Sequence, residues 1–181
     1  MKMARRKYRK THPDNRGFKE RAIVAELKSF IGHEHIVVHN KQIEGGGSKR
    51  RPDMLINLFT HSIIIEIDER QHRSYTDDIR TTDLISDVGR RLVVIRFNPD
   101  SYRSAGKKYR SLFMKTGKER IYRIGCPNRY MERLSVLKNV LAHYLSNAPD
   151  ADFIEHRLYF DKFDMTSLTT LQSTFDISPC Q

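Results

Sequence analysis

The chain has 181 residues, 38% of them hydrophobic and 30% charged, a length and balance that suit one domain with a real core. No apolar run approaches the roughly 20 residues of a spanning helix, so no membrane partner is expected. Two cysteines, Cys126 and Cys180, exclude a disulfide framework and a four-cysteine zinc site, and a reducing intracellular home, nucleus or cytoplasm, is expected.

The net charge of +11 is unevenly spread. Residues 1–51 carry 14 basic and 5 acidic side chains, residues 52–100 carry 6 and 9, residues 101–149 carry 11 and 2, and residues 150–181 carry 2 and 6. An acidic middle between two basic segments is the layout expected where cations hold a polyanion against a carboxylate cluster. The first 15 residues, MKMARRKYRKTHPDN, read as a basic arm that touches phosphates, serves as a nuclear import signal, or is simply solvated.

From Arg16 to Ile31 apolar residues recur at helical spacing, and Gly32 stops the run. Ile36 to Val38 reads as a short strand, followed by a glycine-rich basic loop, KQIEGGGSKRR. The segments Asp53–Phe59 and Ser62–Glu69 are predicted strands separated only by Thr60 and His61, hence an antiparallel hairpin. Thr76 is expected to cap a helix running to Val88, with Gly89 as its stop. Arg91–Phe97 is a buried strand, one helix away and so able to pair in parallel. Residues 101–126 show no clear pattern apart from a strand at Arg120–Ile124. Pro127–Leu145 is the clearest helix, with Leu134, Leu137, Leu141 and Leu145 on one face. A strand, FIEHRLYF, follows in the acidic remainder. The expected division is a basic arm at 1–15, a domain at 16–149, and an acidic extension at 150–181 that could pack on it.

The chemistry is concentrated in the hairpin. In SIIIEIDE, strand alternation puts Ile64, Glu66 and Asp68 on one face. Asp53 opens the partner strand. Acids inside an isoleucine-rich strand are a local conflict, and such conflicts mark function. Three carboxylates near one point repel each other, and a divalent cation relieves this. Asp53, Glu66 and Asp68 are therefore expected to hold Mg2+, with Mn2+ as a substitute, and the reaction class this fits is phosphodiester hydrolysis. The alternative is a solvated acidic face. Lys49, Arg50 and Arg51, directly before Asp53, are expected to contact phosphates, and Lys107, Lys108 and Arg110 form a second basic stretch. Tyr109 and Phe113 within it either stack on a base or join the core. His33, His35 and His39 with Glu34 lack the spacing of a metal site and read as structural.

RPDMLINLFTHSIIIEIDERQH resembles the signature of the PD-(D/E)xK nucleases, with Pro52-Asp53 as its PD and Glu66 as its second acid. The run EIDERQH, with Asp78, Arg80, Leu84, Gly89 and VVIRF, is similar to the branch of very-short-patch-repair endonucleases and related homing endonucleases. GGGSKRRPD, IEIDERQHRSY and IRFNPDSY resemble blocks of a nuclease-like group found in large DNA viruses. The resemblance covers about Arg16 to Tyr102. It implies an α/β, restriction-endonuclease-like fold, a mixed central sheet flanked by helices, and a Mg2+-dependent endonuclease acting on DNA in repair, recombination or homing. A homodimer is an option. It also implies His72 as general base or proton relay, Glu20 (or Glu26) as an acid from the first helix, and Asp78 and Arg80 near metal or phosphate.

One departure is plain. The superfamily's lysine, two residues after the second acid, is here Asp68, and Arg70 is the nearest substitute cation. The departure keeps two alternatives open, a non-catalytic DNA- or RNA-binding protein that retains the fold, and a ribonuclease.

Overall fold

A computed structural model describes residues 17–71, 75–117 and 121–164. The architecture is mixed α/β, with one five-stranded sheet, two small hairpins and three helices. The basic arm, His72, Lys118 and Cys180 lie outside the described residues. Among the described residues no helix is long and apolar enough to cross a membrane.

Helix α1 (Phe18–Ile31) buries Ile23, Val24, Leu27 and Ile31 and closes at Gly32, whose N–H donates to Lys28 O. Strands β1 (Val37–His39), β2 (Met54–Asn57) and β3 (Ser62–Ile67) form an antiparallel meander. A 3₁₀ turn (Glu69–Gln71) and helix α2 (Tyr75–Val88) then cross over to β4 (Leu92–Phe97), which pairs with β3 in parallel. The predicted hairpin and parallel crossover are both present. The boundaries differ slightly: Asp53 precedes β2, Asp68 follows β3, and Thr76 lies inside α2 because the helix begins one residue before it.

Between β4 and the last helix the chain forms two hairpins, of which the sequence revealed only the strand expected at Arg120–Ile124. Strands β5 (Tyr102–Ser104) and β6 (Lys107–Tyr109) make one, β7 (Phe113–Thr116) and β8 (Ile121–Ile124) the other. Both turn residues of the first, Ala105 and Gly106, have positive φ (47° and 72°), the backbone of a tight primed turn. Helix α3 (Pro127–Ser146) starts with proline at its first position, where the missing N–H costs nothing. Strand β9 (Phe153–Leu158) then pairs in parallel with β4. The segment read as an extension after Pro149 thus supplies the edge strand of the main sheet, whose order is β1-β2-β3-β4-β9.

Every residue of β3 and β4 is buried, as expected for central strands covered on both faces. Ile63, Ile65, Ile67, Val93, Ile95 and Phe97 pack with α1 and α3. On the other face Leu55, Ile64, Leu92 and Val94 pack with Leu84 of α2. Glu66, Asp68 and Arg96 share the second face, at the carboxyl ends of the two parallel strands, where open α/β sheets place their ligands.

Candidate active site

The register pairing Met54 with Ile65 puts Asp53 level with Glu66. Asp53 is fixed there because its Oδ2 accepts the Ile67 N–H at 2.7 Å. Together with Glu20, Asp68, Glu69 and Arg80, the two acids line a cavity of about 490 Å³. Five carboxylates therefore face one guanidinium. Strand alternation in the sequence places two of these acids, Glu66 and Asp68, and the start of the partner strand places Asp53, while Glu20 and Arg80 reach the same cavity from α1 and α2.

Burial dominates the electrostatics. Glu66 is 3% exposed, and burial together with the nearby Asp53 pushes its carboxyl up to about 8. Arg80 Nη2 sits 2.8 and 2.9 Å from the two Glu66 oxygens and opposes that shift without offsetting it. Asp53 is pushed up to about 6, first by burial and then by Glu20, against the Ile67 hydrogen bond. Two acids held this far above their ordinary range mark a site short of positive charge.

Asp68 is placed differently from its neighbours. Arg96, 2% exposed, donates from Nη1 to Asp68 Oδ2 at 2.7 Å and from Nε to Glu155 Oε1 at 2.7 Å. Its Nη2 reaches Thr81 Oγ1 at 3.0 Å, so one side chain ties β3, α2 and β9 together. Among the described residues, no group of three His, Cys, Asp or Glu side chains is arranged to hold a metal ion as it stands. Glu66 lies against Arg80 and Asp68 against Arg96.

Other expected site residues are scattered. Asp78 is exposed on α2 and does not line the cavity. Glu26 reaches Lys138 at 3.4 Å, away from the carboxylates. Arg50, expected on phosphate, donates to Asp83 at 2.8 Å. Lys49 and Arg51 are exposed beside it, and the Arg51 carbonyl accepts from Arg80. Lys107, Lys108 and Arg110 are exposed on and after the β5–β6 hairpin. Asp100 accepts from Lys19 at 2.7 Å, and its backbone N–H donates to Asn98 Oδ1 at 2.8 Å in the turn after β4. The Arg70 side chain lies outside the described part of the structure.

Two residues were missed. His39 was set aside with its neighbours, yet its Nε2 lies 3.1 Å from Glu20 Oε1 at the edge of the cavity. Lys19, 5% exposed, bridges Glu69 and Asp100. His39 alternates with surface histidines, and Lys19 looks like any helix lysine, so neither carried a local signal. No protein-family model, curated protein or solved structure matches this chain.

Proposed function

We propose that this protein is a metal-dependent nuclease of the PD-(D/E)xK type, with a restriction-endonuclease-like fold, that hydrolyses phosphodiester bonds of DNA. The observation that carries the reading is the alignment of Asp53 with Glu66 on adjacent strands, lining one cavity with Glu20 and Arg80. The donors are all carboxylate oxygens, the chemistry that suits Mg2+ or Mn2+, and the raised Asp53 and Glu66 are acids that a divalent cation would relieve. A cation held by Asp53 and Glu66, with Asp68 and Glu20 beside it, would neutralise the attacked phosphate and acidify the attacking water.

The chain's own groups do the rest. Asp53 is held in place by the Ile67 N–H, and Glu66 by its place in a fully buried strand. Arg80 lines the cavity beside Glu66, and once Glu66 turns to a metal its guanidinium is available to a phosphate oxygen. It takes over the charge of the absent motif lysine. His39, against Glu20, is an imidazole suited to carry a proton, a candidate in addition to His72. Lys49, Arg51 and the exposed cations after β4 supply contacts to the nucleic-acid backbone.

The test is nicking of supercoiled DNA with Mg2+ by wild type and by Glu66→Ala. A loss of about 100-fold or more is expected from the variant, since the group acts on the reacting phosphate itself. Undiminished activity rejects the site. The ion pairs Arg80–Glu66 and Arg96–Asp68 favour a second reading, a non-catalytic nucleic-acid-binding protein of the same fold. It requires salt-sensitive binding without metal-dependent cleavage. Competition between DNA and RNA separates a deoxyribonuclease from a ribonuclease.

A further inference from the structure

A second cavity, of about 240 Å³, opens between the β5–β6 hairpin and the 3₁₀ turn that follows β3. It is lined by Gln71, Ser101, Tyr102, Arg103, Lys108 and Asp161. Glu69, at the start of that turn, lines the carboxylate cavity, and Gln71, at its end, lines the second one. The two ends of one three-residue turn thus line the two cavities.

Arg103 and Lys108 are direct cross-strand partners and both are exposed. Like charges placed opposite each other destabilise a strand pair, here one only three residues long. Among the described residues neither has an ion-pair partner. Asp161 is the acid among the described residues that line the cavity, and no ion pair joins it to Arg103 or Lys108. Its Oδ1 accepts the Arg103 backbone N–H at 2.7 Å and the Gln71 Nε2 at 3.0 Å, which makes it a brace.

The turn is held under strain. Gln71 has φ 59°, a conformation that residues with side chains rarely adopt. Its amide donates to Ser101 O at 3.2 Å and to Asp161, and accepts the Asp161 N–H at 2.8 Å. Such strain persists where surrounding contacts over-determine it, and it concentrates at functional positions. A cavity braced in this way, with two unneutralised cations at its mouth, is suited to an anion.

We propose that this second cavity binds a phosphate group of the nucleic-acid strand being cut, held by Arg103 and Lys108, and so fixes the strand's path past the carboxylates. The proposal rests on the nuclease reading for the identity of its ligand. It makes Arg103 and Lys108 positioning residues, distinct in role from Lys107, which extends from the other side of the ribbon.

The test is binding of a fluorescent DNA duplex to the full chain in EDTA, by anisotropy over a range of salt. Arg103→Ala with Lys108→Ala should lower the slope of log K against log salt by about 1.8, and the affinity at ~0.1 M salt by about tenfold or more. Arg103→Lys with Lys108→Arg should keep the slope, and Lys107→Ala should change it by less than half as much. The melting temperature of the double alanine variant should not fall, since the charges removed repel each other. An unchanged slope in that variant, or an equal loss from Lys107→Ala alone, overturns the proposal while leaving the nuclease reading intact. Failure of the wild type to bind DNA overturns both. Duplexes with 5′-hydroxyl and 5′-phosphate ends assign the source: a loss confined to the phosphorylated end means a terminal phosphate, and a loss with both means an internal diester.

Discussion

Arg96 carries a full charge inside the sheet and is satisfied there by Asp68, Glu155 and Thr81. Removing one partner of such a group leaves the others buried without compensation. Arg96→Met is therefore expected to cost about 3–5 kcal/mol in urea denaturation. A cost below about 1 kcal/mol would mean that Asp68 and Glu155 find other partners. Glu66 was legible as a site residue because an acid in the middle of SIIIEI has no packing reason to be there. Arg96, in LVVIRF, is the same kind of conflict, but its partner Asp68 is 28 residues away and Glu155 is 59 away. Periodicity carries no information on pairings of that range. That is why Asp68 read as a free ligand, and why His39 read as unrelated to Glu20.

Among the elements, the β2–β3 hairpin was the easiest to see, since two residues between two apolar runs permit little else. Of the β5–β6 and β7–β8 hairpins only β8 was visible, as the strand expected at Arg120–Ile124. Their strands are three or four residues long and mostly exposed, so they lack an apolar alternation. Strand β9 was visible as a strand but not as part of the sheet. Its place beside β4 means that a chain ending at Pro149 loses the sheet edge and the Glu155 partner of Arg96. Such a truncation is expected to lose cooperative thermal unfolding, as circular dichroism would report, and a cooperative transition at the full-length midpoint would show that β9 is dispensable. The loop before β2 is likewise tied down, by Ser48 and Arg50 on Asp87 and Asp83. A Cβ at Gly46 would lie 2.7 Å from Asp87 Cγ. Gly46→Ala is expected to cost about 1–3 kcal/mol by overpacking, read as a fall in melting temperature. An unchanged melting temperature would show that the loop is not anchored there.

At the scale of the molecule, the acidic middle segment read from the sequence supplies most of the acids of one cavity, which Arg80 also lines. Its cost depends on pH. Folded Glu66 and Asp53 hold protons up to about 8 and about 6, against ordinary values of 4.5 and 3.8. The folded state thus binds more protons than the unfolded state between those limits, and stability falls as pH rises through that window. Below it both states are protonated, and the penalty is absent. Denaturation in EDTA should show this decline between pH 5 and 8, and Glu66→Gln should flatten it. Added Mg2+ should stabilise the wild type more at pH 8 than at pH 6. A flat profile would show that the acids ionise at their ordinary values and that the cavity lacks no positive charge.

The most direct measurement of the central claim is uptake of Mn2+ at pH 8, followed by the loss of the free-ion paramagnetic resonance signal, for wild type and for Asp53→Asn with Glu66→Gln. The wild type should take up Mn2+ in competition with Mg2+, and the double variant should not. No uptake by the folded wild type, or equal uptake by both proteins, would contradict a cation site at Asp53 and Glu66.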